Sequence, residues 1–409
     1  MSLNLLWSYL DHNATTPVWG EMIQEIPKWL NSFGNPSSIH QSGRAPKNII
    51  REARKSIAEF LGVSPLEIIF NSGASEGNNT VIKGFYELLI SGRIPAERNE
   101  FMCSLVEHPS VIKSYKFIES KGLKVHWIPV SQKGSIDLAF FREKLSSKIG
   151  LVSVMGANNE TGNIFPIKKM AQETHEVGAF FHCDSVQLIG KTLIEFLDLN
   201  VDYATFSGHK FYALKGTGFL YVKKKSPYQN LIDGGAQERS RRGGTENTLG
   251  IASLGYMLKV ISSNQVRIKE IENLRNQLEA AILNRIDGVK ITGIENPRLV
   301  NTSHMTIEGI DGETLLMNLD LEGFHVSTGA ACSSGNPEPS PVLLNMGFTR
   351  DQAQSSLRVS LGWGSSYEEI ERFSLALEKI ISRLREIKHG QKYFNDQKQT
   401  SLSSYERGR

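Results

Sequence analysis

The chain has 409 residues, is 40% hydrophobic and 22% charged, and carries a formal net charge of +3. These proportions exclude collagen-like, disordered and disulfide-scaffold classes, and so small a charge gives no reason to expect a nucleic-acid or anionic-membrane surface. At roughly 150 residues per domain, the length predicts two or three domains, or one large domain with a smaller companion. The first basic residue is Lys28, and no apolar run approaches the ~20 residues of a membrane span, so the chain reads as cytoplasmic. Three cysteines, Cys103, Cys183 and Cys332, form no C-x-x-C pair and are expected to be reduced thiols.

From about Glu67 to Lys223, β-rich segments alternate with helical ones, the pattern of a mostly parallel sheet covered on both faces. The predicted strands are Glu67–Asn71, Glu100–Ser104, Lys124–Val130, Gly150–Met155, Ala179–Asp184, Val201–Ser207 and Gly218–Val222. Beyond Asn247 a long amphipathic helix carries Ile268, Ile271, Leu274, Leu278 and Ile282, and short strands and helices follow up to Gly362. A last helix starts at the capping box of Ser366 and Glu369 and continues through Ile370, Phe373, Leu377, Ile380 and Leu384. This organisation predicts an α/β protein with a large domain over 14–260, a smaller α+β domain from 1–13 and 261–388, and a disordered polar tail over 389–409.

Ligands of open α/β sheets bind outside the carboxyl ends of the strands, so chemistry is sought there. Asn71-Ser72-Gly73-Ala74-Ser75-Glu76-Gly77-Asn78 leads from a strand into a helix, an arrangement that cradles an anion or simply caps the helix. His108, just before Pro109, is placed to stack on a flat ring or relay protons, or is a turn histidine. Asn158-Asn159-Glu160-Thr161-Gly162 offers amide donors or is a polar turn. Asp184 ends a strand with Gln187 three residues on, and Lys210 follows Ser207-Gly208-His209 at the next strand end. A carboxylate there suits a pyridinium nitrogen and a half-buried lysine suits a Schiff base; taken singly, each is as well read as a helix cap or a surface lysine.

Gly190-Lys191-Thr192 imitates a phosphate loop, but Ser185 stands where that motif needs its first glycine, which rejects nucleoside triphosphate binding. Cys332 lies in a small-residue loop where a thiolate would be exposed, or is an incidental thiol. Arg358 alternates with Leu357 and Val359 on a strand, suited to a bidentate carboxylate contact or to a structural ion pair.

Taken together and in chain order, these motifs resemble the class V aminotransferase group of pyridoxal-phosphate enzymes, and within it the cysteine desulfurases of the NifS/IscS type. The likeness runs from Tyr9-Leu10-Asp11-His12-Asn13-Ala14-Thr15-Thr16-Pro17 to about Leu384. It implies the type I fold of these enzymes, with a large, mostly parallel seven-stranded sheet domain. It also implies that Lys210 holds pyridoxal 5′-phosphate, Asp184 pairs with the ring nitrogen and His108 stacks on the ring. Asn159 and Gln187 would bond the ring oxygen, and Ala74, Ser75, Ser207 and His209 would surround the phosphate.

Thr245, in Arg241-Arg242-Gly243-Gly244-Thr245-Glu246-Asn247, would reach the phosphate of the other subunit of a homodimer. Arg358, with Asn159, would bind the carboxylate of L-cysteine, and Cys332 would take the sulfur as a persulfide for a sulfur-acceptor or Fe–S scaffold protein. The cysteine loop departs from the family, reading Thr328-Gly329-Ala330-Ala331-Cys332-Ser333-Ser334 where Ser-Gly-Ser-Ala-Cys-Thr-Ser is usual. A selenocysteine lyase, or another class V enzyme that does not require Cys332, is the alternative. No metal is implied.

Overall fold

Strand segments that are apolar without alternation must be covered on both faces, and the sheet they build is therefore interior. The computed structural model describes residues 7–193, 195–328 and 338–406, with side chains described as far as 388. Its strands are β1 (Ser8–Tyr9), β2 (Ile68–Asn71), β3 (Glu100–Ser104), β4 (Lys124–Ile128), β5 (Ile149–Ser153), β6 (Phe180–Asp184), β7 (Tyr203–Ser207), β8 (Gly218–Val222), β9 (Val289–Ile291), β10 (Thr302–Ile307), β11 (Phe324–His325) and β12 (Ser356–Ser360). Every residue of β5, β7 and β8 is buried.

Among the described residues, seven strands form one sheet in the order β2-β8-β7-β6-β5-β3-β4, parallel except for β8, which runs antiparallel to both neighbours. The predicted strands Glu100–Ser104 and Gly218–Val222 coincide with β3 and β8 to the residue. The third was expected to reach Val130 but stops at Ile128, because Pro129 has no N–H to continue the ladder; Val130 makes only an isolated bridge to Ile136.

Successive strand side chains leave by opposite faces, which divides the interior into two cores. Phe101 and Cys103 of β3, with Leu220 of β8, join one core with Phe85 and Tyr115 from the helices Ala74–Ile90 and Pro109–Ser120. Met102, Phe219 and Tyr221 point the other way, into a core that includes Ile57, Met170 and Leu254 and continues to Leu357, Val359 and Phe373. The helix Ala74–Ile90 lies close on the sheet: a Cβ at Gly77 would stand 2.8 Å from Thr205 Cγ2 of β7.

Beyond the large sheet, β9, β10 and β12 make an antiparallel sheet in the order β12-β10-β9, and β1 pairs in parallel with β11. The predicted amphipathic helix is Val266–Arg285, with Ile268, Ile271, Leu278 and Ile282 buried and Leu274 partly so. An apolar helix, Thr248–Ser263, precedes it; its even hydrophobicity leaves no amphipathic period to read in the sequence. Glu369 N–H donates to Ser366 Oγ at the start of the last helix, as the capping box predicts.

That helix spans Tyr367–Glu406, passing His389, where the sequence reading expects order to end. A helix already nucleated on a packed stripe can propagate past Gly390 through the glutamines and lysines of the tail. No helix among the described residues is long and apolar enough to cross a membrane.

One segment carries backbone strain. Glu238, Arg239 and Ser240 are consecutive left-handed residues, with φ of 46°, 59° and 61°. Side chains with a Cβ resist this region, so the surroundings must impose it. Arg54 donates twice to the buried Glu238 carboxylate (2.9 and 2.6 Å), and Phe70 N–H donates a third bond to it at 3.0 Å.

Candidate active site

The strand order changes direction between β3 and β5, since β4 lies on one side of β3 and the later parallel strands on the other. A crevice opens at such a point beyond the carboxyl ends of the strands. A cavity of about 590 Å³ occupies it, with Lys210, Asp184, His108, Asn159, Gln187, Ser207, His209, Ala74 and Ser75 in its lining. Nine residues singled out from separate strand ends are thus brought together.

Lys210 reaches across the cavity floor and donates to the carbonyl oxygens of Asn13 and Ala14, each at 2.7 Å. Burial, helped by the Arg358 guanidinium and opposed by Asp11 and Asp184, brings its amine down to about 8. About a tenth of the amine is therefore neutral and nucleophilic at pH 7, far more than for an ordinary lysine. The Asp184 carboxylate accepts from Asn78 Nδ2 (2.9 Å) and Val186 N–H (3.2 Å). The Asn78 amide is fixed in turn, because the Thr205 hydroxyl donates to its Oδ1 at 2.6 Å.

His108 caps the helix Pro109–Ser120. Its Nδ1 accepts Ser110 N–H at 3.1 Å, which leaves the ring proton of the neutral form on Nε2. Burial favours that neutral form by pushing the imidazole pKa down, against the pull of Asp184. Behind it, Glu107 is wholly buried; burial raises its carboxyl to about 8 despite bonds from Ser104 Oγ and Met155 N–H.

At the other end of the cavity the first intrahelical bond of the helix Ala74–Ile90 is donated by Gly77 N–H to Gly73 O, so the N–H groups of Ala74, Ser75 and Glu76 precede the helix ladder. Gly73 has φ 146°, a conformation that L side chains rarely adopt, so glycine lets the chain turn into the helix beside Ser207 Oγ. His209 Nδ1 lies 3.1 Å from Thr15 Oγ1, and burial with the Lys210 charge takes its imidazole down to about 4. These features fit pyridoxal 5′-phosphate: an amine for its aldehyde, a carboxylate for its ring nitrogen, a flat neutral ring, and N–H and hydroxyl donors at a helix N-terminus for its phosphate.

Two expected residues stand outside this lining. Arg358, on β12, is outside the lining but donates to the Asn159 carbonyl (3.0 Å) and to Asp11 Oδ1 (2.6 Å), while its buried Nε has no partner among the described residues. Thr245 lines a neighbouring cavity that shares Ser72 and Gly216 with the first. Cys332 lies outside the described residues.

Sequence reasoning also missed partners. Asn13 belongs to the quoted Asp11–Pro17 motif but was given no role, and its backbone carbonyl receives both Lys210 Nζ and Gln187 Nε2. Asn78 sat unassigned at the end of the helix-start motif. Lys191 was seen only as part of a rejected phosphate loop; its burial between polar turns has no sequence signal.

A family model, Aminotransferase class-V, matches residues 8–373. The chain is 39% identical to the cysteine desulfurase IscS of Clostridium botulinum, over 93% of this chain and 95% of the relative. A solved NifS-like protein superposes with a TM-score of 0.85 at 33% identity, covering 92% of this chain and all 100% of the other. A structure described as SspA in complex with cysteine matches at 31% identity and a TM-score of 0.74, over 86% of this chain and 98% of that one. Agreement along nearly the whole length, added to a cavity built for pyridoxal phosphate, places the chain in the class V aminotransferase family, among the cysteine desulfurases of the NifS and IscS type.

Proposed function

We propose that the chain converts L-cysteine to L-alanine and passes the sulfur to Cys332 as a persulfide. The observation that carries this reading is the single cavity in which Lys210, Asp184 and His108 meet the N-terminus of the helix Ala74–Ile90. Pyridoxal 5′-phosphate bound there supplies an electron sink for the charge left on the substrate α-carbon.

The chain's own groups do the rest. Asp184 holds a proton on the ring nitrogen, His108 covers the ring face, and the Ala74–Glu76 turn with Ser207 and His209 holds the phosphate. Lys210 would anchor the cofactor through Nζ, and the same atom would take the substrate α-proton. Arg358, which donates to the carbonyl of the cavity-lining Asn159, would bind the substrate carboxylate beside it. The Cys332 thiolate attacks the substrate sulfur, forming an S–S bond as the substrate's C–S bond breaks, and the bonding pair returns to the carbon skeleton.

The persulfide then serves a protein acceptor, for Fe–S cluster assembly or another sulfur-transfer route, in the cytoplasm. We infer a large domain over 14–260 and a smaller one from 1–13 and 261–388, with Arg358 and Cys332 on the smaller. The working unit is a homodimer in which Thr245 reaches the partner's phosphate site.

Incubation with L-cysteine and a reductant tests the reading. Sulfide and alanine should form in equal amounts, and Cys332→Ser should bind cysteine yet release neither. Sulfide from Cys332→Ser at the parent rate would overturn the persulfide step and favour a selenocysteine-lyase-like enzyme.

A further inference from the structure

Lys191 is buried and hydrogen-bonds to two carboxamide oxygens rather than to a carboxylate, and the chemistry above makes no use of it. Its Nζ donates to Asn13 Oδ1 at 3.1 Å and to Gln187 Oε1, four residues earlier on the same turn. Gln187 Nε2 in turn donates to the Asn13 carbonyl at 3.2 Å, so the three residues close a ring of hydrogen bonds. Asn13 cannot drift: Asn301 Nδ2 donates to its Oδ1 (3.1 Å), its own Nδ2 donates to Thr302 Oγ1 (2.8 Å) and Asn159 O (3.1 Å), and its N–H donates to Ser360 Oγ (3.0 Å). Burial and the Lys210 charge push the Lys191 amine well below its ordinary pKa, so the position is costly for a lysine.

A terminal carboxamide can turn over, presenting either oxygen or NH₂ to a ligand, and the choice is made by its neighbours. The Asn13 backbone carbonyl can only accept, so it takes the NH₂ of Gln187 and the side that faces Lys191 is the oxygen, to which the lysine donates. The NH₂ then faces Asn13, spends one N–H there, and keeps its second N–H for the cavity that Gln187 lines.

We propose that Lys191 is a positioning residue: clamped by Asn13, its amine sets the Gln187 carboxamide with NH₂ toward the bound cofactor's ring oxygen. The inference rests on the reading that Gln187 contacts that oxygen, and the test separates the two.

Pyridoxal phosphate binding and the visible absorption band of the bound cofactor are measured for Gln187→Ala, Lys191→Met and the double variant, with apoprotein melting as a fold control. Losing one neutral hydrogen bond should weaken cofactor binding by about three- to tenfold and move the band. Lys191→Met should reproduce what Gln187→Ala does, and the double variant should be no worse than either single one. A parent-like band and affinity in Lys191→Met, or effects that simply add in the double variant, overturn the proposal. If Gln187→Ala itself changes neither quantity, the contact with the ring oxygen is wrong and the proposal falls with it. Should Lys191→Met not fold, Lys191→Arg tests the same contact by keeping a donor toward Gln187: a parent-like band supports the role, and a band moved as in Gln187→Ala overturns it.

Discussion

Lys210 owes its reactivity to burial, which takes its amine down to about 8. Lysine with a lowered pKa is more often neutral, so the sign is plain: the apoprotein should capture pyridoxal phosphate faster as pH rises. The rate should climb by about tenfold per unit below 8 and level off above it. Stopped-flow absorbance from pH 6.5 to 9.5 reads this directly, and a rate still climbing at 9.5 would show an ordinary exposed lysine. At this scale the sequence was informative where a residue type is needed at a strand end, as for Asp184 and Lys210. It was mute about Asn78, Glu107, Asn13 and Lys191, whose roles come from contacts across long sequence separations, such as the 106 residues between Asn78 and Asp184.

The helix Ala74–Ile90 and strand β7 act as one device, because Gly77 lets them touch. Any Cβ at 77 would press on Thr205 Cγ2 at 2.8 Å, and Thr205 is the group that orients Asn78 toward Asp184. Gly77→Val should therefore cost about 1–3 kcal/mol of stability by overpacking and also weaken cofactor binding. Gly20→Ala is the control, as its Cβ would meet nothing within 4 Å. Thermal melting of the apoprotein and cofactor titration separate the two effects; parent-like values for Gly77→Val in both would refute the coupling. Strands were legible because buried β-rich runs ended at turn residues. The helix Thr248–Ser263 was not, since an element apolar on every side has no period to detect.

Across the whole molecule, the strained Glu238–Ser240 triplet commits the following Arg241–Asn247 segment to one direction, with Arg54 and Phe70 fixing its root. If this segment completes a partner's site, Lys210→Ala and Thr245→Ala chains should complement each other. Subunit exchange gives one site free of both lesions, and about a quarter of parental activity should return when random mixing makes half of the dimers mixed. Mixed dimers verified by mass spectrometry but no more active than the separate variants would place Thr245 in its own subunit's chemistry alone. The sequence showed the strands of the large sheet but not the pairing of β1 with β11, because these partners lie near opposite ends of the described chain.

The Asn13 hub joins residues that leave the ribosome at very different times. Asn13 emerges early, yet its N–H is held by Ser360, 347 positions later, and β1 waits for β11 to pair. Until β12 has been synthesised, the carbonyls that receive Lys210 and Gln187 are held from the large domain through Thr15 and Thr16 but lack the Ser360 anchor on Asn13. So long a separation delays the last step of assembly. The pocket that receives pyridoxal phosphate is thereby expected to be complete only once β12 is in place, and a chain interrupted before residue 356 carries the nucleophilic lysine without the strap that finishes its pocket.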